Sequence, residues 1–225
     1  MEPDNPLLDD FVLSLVRRKR PRVCFIPTAS FDAPTYITKF YRAFAGRCDV
    51  TDLTLSDPPA LPRNPARGAD LPSFVANQDV FYVGGGSTVN LLAVWRAHGL
   101  DRLLRKAWNA GAVLAGISAG MLCWFEAGLT DSFGGLHALH DGLGFIRGSA
   151  CPHYDGEPAR REAYRQIIAN GTPAGYAADD GVALHFRGRR LREIVSSRPA
   201  AAAYRVALRR GDVVEKQLPV RYLGA

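Results

Sequence analysis

Short apolar runs alternate with stretches of helical spacing along the first half of the chain. Val23-Cys24-Phe25-Ile26, bracketed by Pro21 and Pro27, predicts a buried strand. Tyr36, Ile37, Phe40 and Phe44 then recur at intervals of three and four, with Gly46 closing the segment, so an amphipathic helix follows. Val50 to Leu55 alternates as a second strand. The proline-rich stretch Ser56 to Asp70 has no period and predicts a loop, with at most a short helix after it from Leu71 to Ala76. Val80-Phe81-Tyr82-Val83 reads as a third strand that empties into Gly84-Gly85-Gly86-Ser87-Thr88, and Val89, Leu92, Ala93 and Arg96 resume the helical spacing. A further helix from Leu100 to Ala110 ends at Gly111 and delivers the chain to a fourth apolar run, Ala112 to Ala115.

This β-α-β-α order predicts a parallel sheet with helices wound on both faces. Beyond it, Leu122-Cys123-Trp124-Phe125 reads as a helix, and Ala127 to Asp141, rich in Gly and His, as a loop. An apparent strand ends at His153, ahead of a helix from about Pro158 to Asn170 capped by Gly171. Gly175 to Ala178 is a small-residue strand running into Asp179-Asp180-Gly181. From Val182 the pattern changes to alternating runs, Val182–Phe186, Leu191–Val195, Ala203–Leu208 and Val213–Val220, which predict an antiparallel extension. The expectation is an α/β fold in one domain over residues 1–225, with its C-terminal β extension at about 182–225.

With 225 residues, 47% hydrophobic and 22% charged, the chain has the composition of a soluble globular protein. Met1-Glu2-Pro3-Asp4-Asn5 lacks the basic start of a signal peptide, and no apolar run approaches ~18 residues. The expectation is a cytoplasmic protein with no membrane partner. Cys24, Cys48, Cys123 and Cys151 are far apart and without Cys-x-x-Cys spacing, which favours free thiols. The net charge of +6 is concentrated late: ten Lys/Arg against three Asp/Glu lie between Arg187 and Ala225, leaving the rest near neutral. That argues against the basic cleft of a nucleic-acid enzyme. A second class of function, polyanion binding by the basic C-terminal hairpins with Tyr204 and Tyr222, stays open beside a simple solvated surface.

Candidate chemistry centres on Gly116-Ile117-Ser118-Ala119-Gly120, where a strand enters a turn tight enough to need glycine on both sides of a serine. The serine hydroxyl is presented for attack, and the N–H of Ala119 points to where an oxyanion would form. The same spacing also suits a turn whose serine merely caps a helix. Gly84-Gly85-Gly86 would let backbone N–H groups approach negative charge closely. A Walker lysine is missing and Val89 replaces the third glycine of a dinucleotide fingerprint, so oxyanion donation fits better than nucleotide binding. His137, His140 and Asp141 lack a further nearby ligand, and no metal is predicted.

Ser118, His153 and Asp180 all fall at strand ends on one side of the inferred sheet. A serine hydroxyl needs a histidine to take its proton and a carboxylate to fix that histidine, and these three residues supply one of each. A Ser-Asp-His order, drawing on Asp141 or Asp155 with His185, would be the α/β-hydrolase alternative.

Val83-Gly84-Gly85-Gly86-Ser87-Thr88 with Leu91-Leu92, Ala115-Gly116-Ile117-Ser118-Ala119-Gly120, Leu129-Thr130-Asp131 and Pro152-His153-Tyr154 together resemble the peptidase E family of aspartyl dipeptidases, related to cyanophycinase. The similarity runs from about Val23 to His185. It implies a class I glutamine amidotransferase-like three-layer α/β/α sandwich, with serine in place of the amidotransferase cysteine. By this resemblance Ser118 is the nucleophile, His153 the base, and Asp180 the third member, where better-known relatives carry glutamate before a glycine. Asp131 matches a further functional aspartate. The oxyanion donors match Ala119 and one of Gly85 or Gly86. Two departures are the shorter Asp180 and the shorter segment between His153 and Arg160. Asp179, Asp180 and Asp131 compete to orient the histidine; Asp180 is favoured because it directly precedes Gly181, and alternation turns Asp179 to the other face. Arg161, Arg160 and Tyr154 are expected to bind substrate, with Arg161 preferred over Arg160 as the cation that grips an acidic side chain.

The resulting expectation is an intracellular serine exopeptidase acting on small peptides, with N-terminal aspartate among them, through an acyl-enzyme and without a cofactor. An amidase or esterase using the same residues on a non-peptide acyl substrate is the alternative. Monomer and homodimer are both left open.

Overall fold

The computed structural model of the chain describes residues 1, 4–55 and 71–224. The loop expected over Ser56–Asp70 lies outside the described residues. Contacts divide the chain into two compact units, Met1–Asp4 with Asp9–Gly120, and Asn5–Leu8 with Met121–Ala225.

The chain opens with a helix that the hydrophobic pattern did not announce, α1 (Leu7–Ser14), and continues into β1 (Arg22–Ile26), α2 (Pro34–Phe44) and β2 (Asp49–Asp52). Asp9 of α1 is buried and accepts the Tyr82 hydroxyl at 3.0 Å, with the N-terminal amine 3.6 Å away. Next come α3 (Leu71–Ala76), β3 (Val80–Val83), α4 (Thr88–His98), α5 (Leu100–Asn109) and β4 (Val113–Gly116). The four strands of the first unit are all parallel, in the order β2-β1-β3-β4, with Val23 opposite both Val50 and Val80. Val23 to Ile26 and Val80 to Val83 are buried throughout, as expected of a parallel sheet covered on both faces. The α2 stripe packs by ring stacking: Phe25 lies 4.7 Å from Phe40, and Phe40 lies 4.8 Å from Phe44. Strand order reverses direction at β1, so right-handed crossovers send α2 to one face and α4 and α5 to the other. The adjacent carboxyl ends of β1 and β3 are therefore a switch point, where α/β sheets hold their ligands.

One helical turn, α6 (Ala119–Leu122), follows β4; then come β5 (Phe125–Thr130), β6 (His137–Leu139), β7 (Ile146–Cys151), α7 (Pro158–Ala169) and β8 (Gly175–Ala178). The alternating tail forms β9 (Val182–Arg187), β10 (Arg190–Ser196), β11 (Ala203–Arg209), β12 (Asp212–Leu218) and β13 (Arg221–Tyr222). In the second unit a six-stranded sheet runs β12-β11-β8-β7-β5-β6, with β5, β7 and β8 parallel and β6, β11 and β12 antiparallel to their neighbours. A separate three-stranded sheet has the order β13-β10-β9. The fold is thus mostly parallel sheet with flanking helices and antiparallel C-terminal strands.

Three sequence expectations fail here. The helix predicted to resume over Leu122 to Phe125 stops at Leu122, and Phe125 opens β5. A short apolar run does not by itself distinguish buried helix from buried strand, and Phe125 to Thr130 has strand length. The loop expected from Ala127 to Asp141 instead contains the rest of β5 and all of β6, paired Gly128 to Leu139 and Thr130 to His137. Its small residues are buried strand positions, with Ala127 only 3% exposed. The last long strand also ends at Leu218 rather than Val220, since Pro219 has no N–H for the ladder. Among the described residues no helix is long and apolar enough to cross a membrane.

Candidate active site

In the first unit, β4 ends in a turn whose tightness follows from two glycines. A Cβ on Gly116 would run into the Gly120 carbonyl, and one on Gly120 into the Val83 carbonyl. Ile117 N–H donates to Val83 O at 3.0 Å, and Gly120 N–H to Ile117 O at 2.8 Å, so the turn is pinned to the end of β3. Ser118, at the apex, has φ +55, a left-handed conformation that costs a β-carbon residue about 1–3 kcal/mol. Ala119 follows it, buried at the start of α6.

The triple-glycine loop leaves β3 alongside this turn. Gly86 has φ +135 and its α-carbon lies against the Ala29 carbonyl, where no side chain would fit. Ser87 N–H donates to Ala29 O at 2.8 Å, and the Ser87 hydroxyl caps α4 by accepting Asn90 N–H at 3.3 Å. Gly85 faces the serine: a Cβ built on it would stand 3.3 Å from Ser118 Cβ and 3.9 Å from Oγ. The Gly85 N–H donates to the Tyr36 hydroxyl at 3.2 Å.

In the second unit, His153 follows Pro152 off the end of β7 and has φ +59. Its Nδ1 lies 2.6 Å from Asp180 Oδ1, just beyond β8. A carboxylate in that position accepts from Nδ1–H, which selects the tautomer of the neutral ring whose Nε2 can accept a proton. Asp180 is fixed in turn. Its N–H donates to Asp155 Oδ1 at 2.8 Å, its carbonyl accepts Arg198 Nη1 at 3.1 Å, and Oδ2 lies 2.6 Å from where Gly156 would carry a Cβ. Asp179 turns the other way and accepts the Ala202 N–H at 2.8 Å, tying β8 to β11. Burial pushes the Asp179 carboxyl above its ordinary range, against that hydrogen bond. His185, the base of the Ser-Asp-His alternative, has Nδ1 3.3 Å from Glu193 Oε1.

The other predicted site residues are paired off in the second unit. Arg160 is 2% exposed, bonds Glu157 Oε2 through Nε at 2.9 Å, and has Nη2 3.5 Å from Asp131, whose own side chain is 62% exposed. The Arg161 guanidinium donates to Glu215 Oε2, lies over the rings of Tyr154 and Tyr204, and shares its carboxylate with Arg165 at 3.1 Å. The Tyr154 hydroxyl donates to Glu215 as well, at 2.8 Å. Burial raises the Glu215 carboxyl, but the bonds from Arg161, Tyr154 and Arg165 outweigh it and hold the group below its ordinary value. Within the basic C-terminal stretch, Arg198 pairs with Asp155, Arg221 with Glu193, and Arg205 stacks on Tyr176.

The sequence profile of peptidase family S51 matches residues 1–194. The chain belongs to peptidase family S51. It is 53% identical to the uncharacterized peptidase YgaJ of Bacillus subtilis (strain 168), over all of this chain and 94% of that one. It is 31% identical to peptidase E of Pasteurella multocida (strain Pm70) over 52% of this chain and 55% of the relative. The crystal structure of a peptidase from an acI-B1 Actinobacterium superposes with a TM-score of 0.68, at 19% identity, over 96% of this chain and 89% of its own; that likeness concerns the fold. As an S51 member the chain is a serine peptidase, a hydrolase.

Several residues of this S51 chain escape sequence reasoning. Tyr36 was absorbed into the apolar stripe of α2, and only its hydroxyl, wasted in a core, could have singled it out. Arg198 supports Asp180 from a position that looks like surface charge, and Asp155, weighed only as an acid for His185, supports it as well. Glu215, one of three acids among the ten basic residues of the tail, was the visible hint of an internal ion cluster.

Proposed function

We propose that this S51 peptidase is an intracellular exopeptidase for short peptides, dipeptides with N-terminal aspartate among them, working through Ser118, His153 and Asp180. The observation that carries the reading is the 2.6 Å bond between His153 and Asp180, which orients the ring and commits Nδ1 to the carboxylate, so that Nε2 is the nitrogen available as base. In this reading Nε2 takes the Ser118 proton as Oγ attacks the scissile carbonyl carbon. The tetrahedral oxyanion collapses with expulsion of the amine, which receives that proton from the imidazolium. Water then attacks the acyl-enzyme under the same base, and Ser118 is released with its proton restored. Strain at Ser118 supports the nucleophile's role, because left-handed serine persists only where surroundings over-determine it. Four free, buried thiols suit a reducing compartment.

The reading is tested by labelling with an alkyl fluorophosphonate and by turnover of a panel of dipeptides and aminoacyl p-nitroanilides. Expected results are one phosphonyl group on Ser118, lost in Ser118→Ala, and release of free amino acids with Asp-Leu cleaved faster than Ala-Leu. Labelling elsewhere, or cleavage of simple esters with no peptide turned over, would replace the peptidase mechanism with another.

A further inference from the structure

Tyr36 sits where α2 begins, yet its hydroxyl reaches the loop beside Ser118. Its ring is held edge-on to Phe25, with centroids 5.2 Å apart at 75°. Its Cε1 lies 2.8 Å from the place a Gly84 side chain would occupy, so Gly84 seats the ring. The phenol oxygen accepts the Gly85 N–H at 3.2 Å, and Gly85 is the residue whose α-carbon abuts Ser118. An amide hydrogen given to a phenol cannot at the same moment be aimed at a substrate oxygen. The phenol, having accepted one hydrogen bond, still has its own proton to donate.

We propose that Tyr36 is a catalytic residue: its O–H, polarised by the Gly85 N–H behind it, donates to the oxyanion formed when Ser118 attacks. This rests on Ser118 being the nucleophile. The arrangement is a two-bond chain, Gly85 N–H to Tyr36 oxygen and Tyr36 O–H to oxyanion. Each bond strengthens the other as negative charge develops. Burial pushes the Tyr36 hydroxyl above its ordinary value, outweighing the Gly85 bond, so it is protonated and able to donate at neutral pH. No proton is transferred; the hydroxyl only shares its hydrogen with the developing charge, and relaxes when the intermediate collapses. The chain therefore departs from a donor pair made of two backbone N–H groups. A phenol that merely plugged the glycine loop would give the opposite behaviour, since removing it would free the Gly85 N–H.

The test is Tyr36→Phe, which keeps the ring, its contact with Phe25 and its seat on Gly84. The rate of Ser118 phosphonylation by a fluorophosphonate reports the donor directly, because the phosphonyl oxygen takes the oxyanion's place whatever the natural peptide. That rate is expected to fall about 100-fold, as is usual for loss of one oxyanion donor. On aspartyl p-nitroanilide the loss should lie in kcat, with KM within about twofold, and the melting temperature should be unchanged. Phosphonylation at the wild-type rate or faster would overturn the proposal and leave the Ser118 reading standing. A loss shared equally by KM and thermal stability would also overturn it, by showing a structural role. If Ser118→Ala retains turnover, the Ser118 reading falls and this proposal falls with it.

Discussion

Nδ1 of His153 and Oδ1 of Asp180 lie 2.6 Å apart across 27 residues of chain, and both belong to the second unit. Asp179, one residue earlier, spends its carboxylate on the Ala202 N–H. Asp180→Asn should therefore lower kcat about 10³- to 10⁴-fold by permitting the wrong imidazole tautomer, with KM little changed. Asp179→Asn should lower stability and leave kcat close to wild type. Steady-state kinetics and melting curves of the two variants separate the roles. A kcat loss in Asp179→Asn or Asp131→Asn exceeding that of Asp180→Asn would redraw the catalytic set.

The left-handed backbone at Ser118 makes a stability prediction that activity cannot confound. Ser118→Ala keeps a β-carbon in the strained conformation, whereas Ser118→Gly removes it. Both should lose about 10⁴-fold or more in turnover. Ser118→Gly should be more stable than Ser118→Ala by about 1 kcal/mol, seen in urea midpoints at equal m-values. Equal midpoints would mean that the elbow stores no strain.

Glu215 is the shared acceptor of Arg161, Arg165 and Tyr154, with only 9% of its side chain exposed. Glu215→Gln removes the charge and should cost about 1–3 kcal/mol at pH 7. The folded carboxyl sits below its ordinary value of 4.5, so the unfolded chain takes up the proton first as pH falls. Its stabilisation is complete above about that pH and is lost on acidification through the lower, folded value. Urea melts from pH 7 to 3 should show wild type and Glu215→Gln converging at the acid end. Parallel curves would show that the carboxylate is not what holds the cluster.

Arg160 and Arg161 make different predictions, because one is buried against Glu157 and the other stacked on two tyrosines. Arg161→Ala should behave as a stability variant, with lower melting temperature and an unchanged ratio of Asp-Leu to Ala-Leu hydrolysis. Arg160→Ala should lower the melting temperature further still, because it removes a buried guanidinium held by Glu157 and 3.5 Å from Asp131, and should likewise leave the ratio unchanged. If the Arg161 variant alone changes the ratio, the selecting cation is Arg161. If wild type does not prefer Asp-Leu, neither arginine selects.

The first unit was legible because its central strands β1 and β3 are buried on both faces and therefore spelled by continuous apolar runs, while glycines mark where backbone meets backbone. Gly116 and Gly120 could be read in that way without coordinates. Phe125 to Thr130 could not, because Ala127 and Gly128 carry too little side chain to reveal a strand. His153 was visible through Pro152 and the helix behind it, and Asp180 through its glycine. The network that holds Asp180 was invisible, since Asp155 and Arg198 are ordinary surface residue types until the chain folds them together. Tyr36 was hidden for the opposite reason: its ring satisfies the helical stripe completely, and a periodic pattern records rings and not hydroxyls.

The family S51 profile covers residues 1–194, yet the Glu215 carboxylate beyond it binds the hydroxyl of Tyr154, the immediate neighbour of His153. A polypeptide trimmed to residue 194 would leave two cations and a phenol facing an absent anion next to that histidine. The span that a family profile recognises and the length of chain that satisfies its own buried charges are thus different quantities here, and the tail belongs to the second.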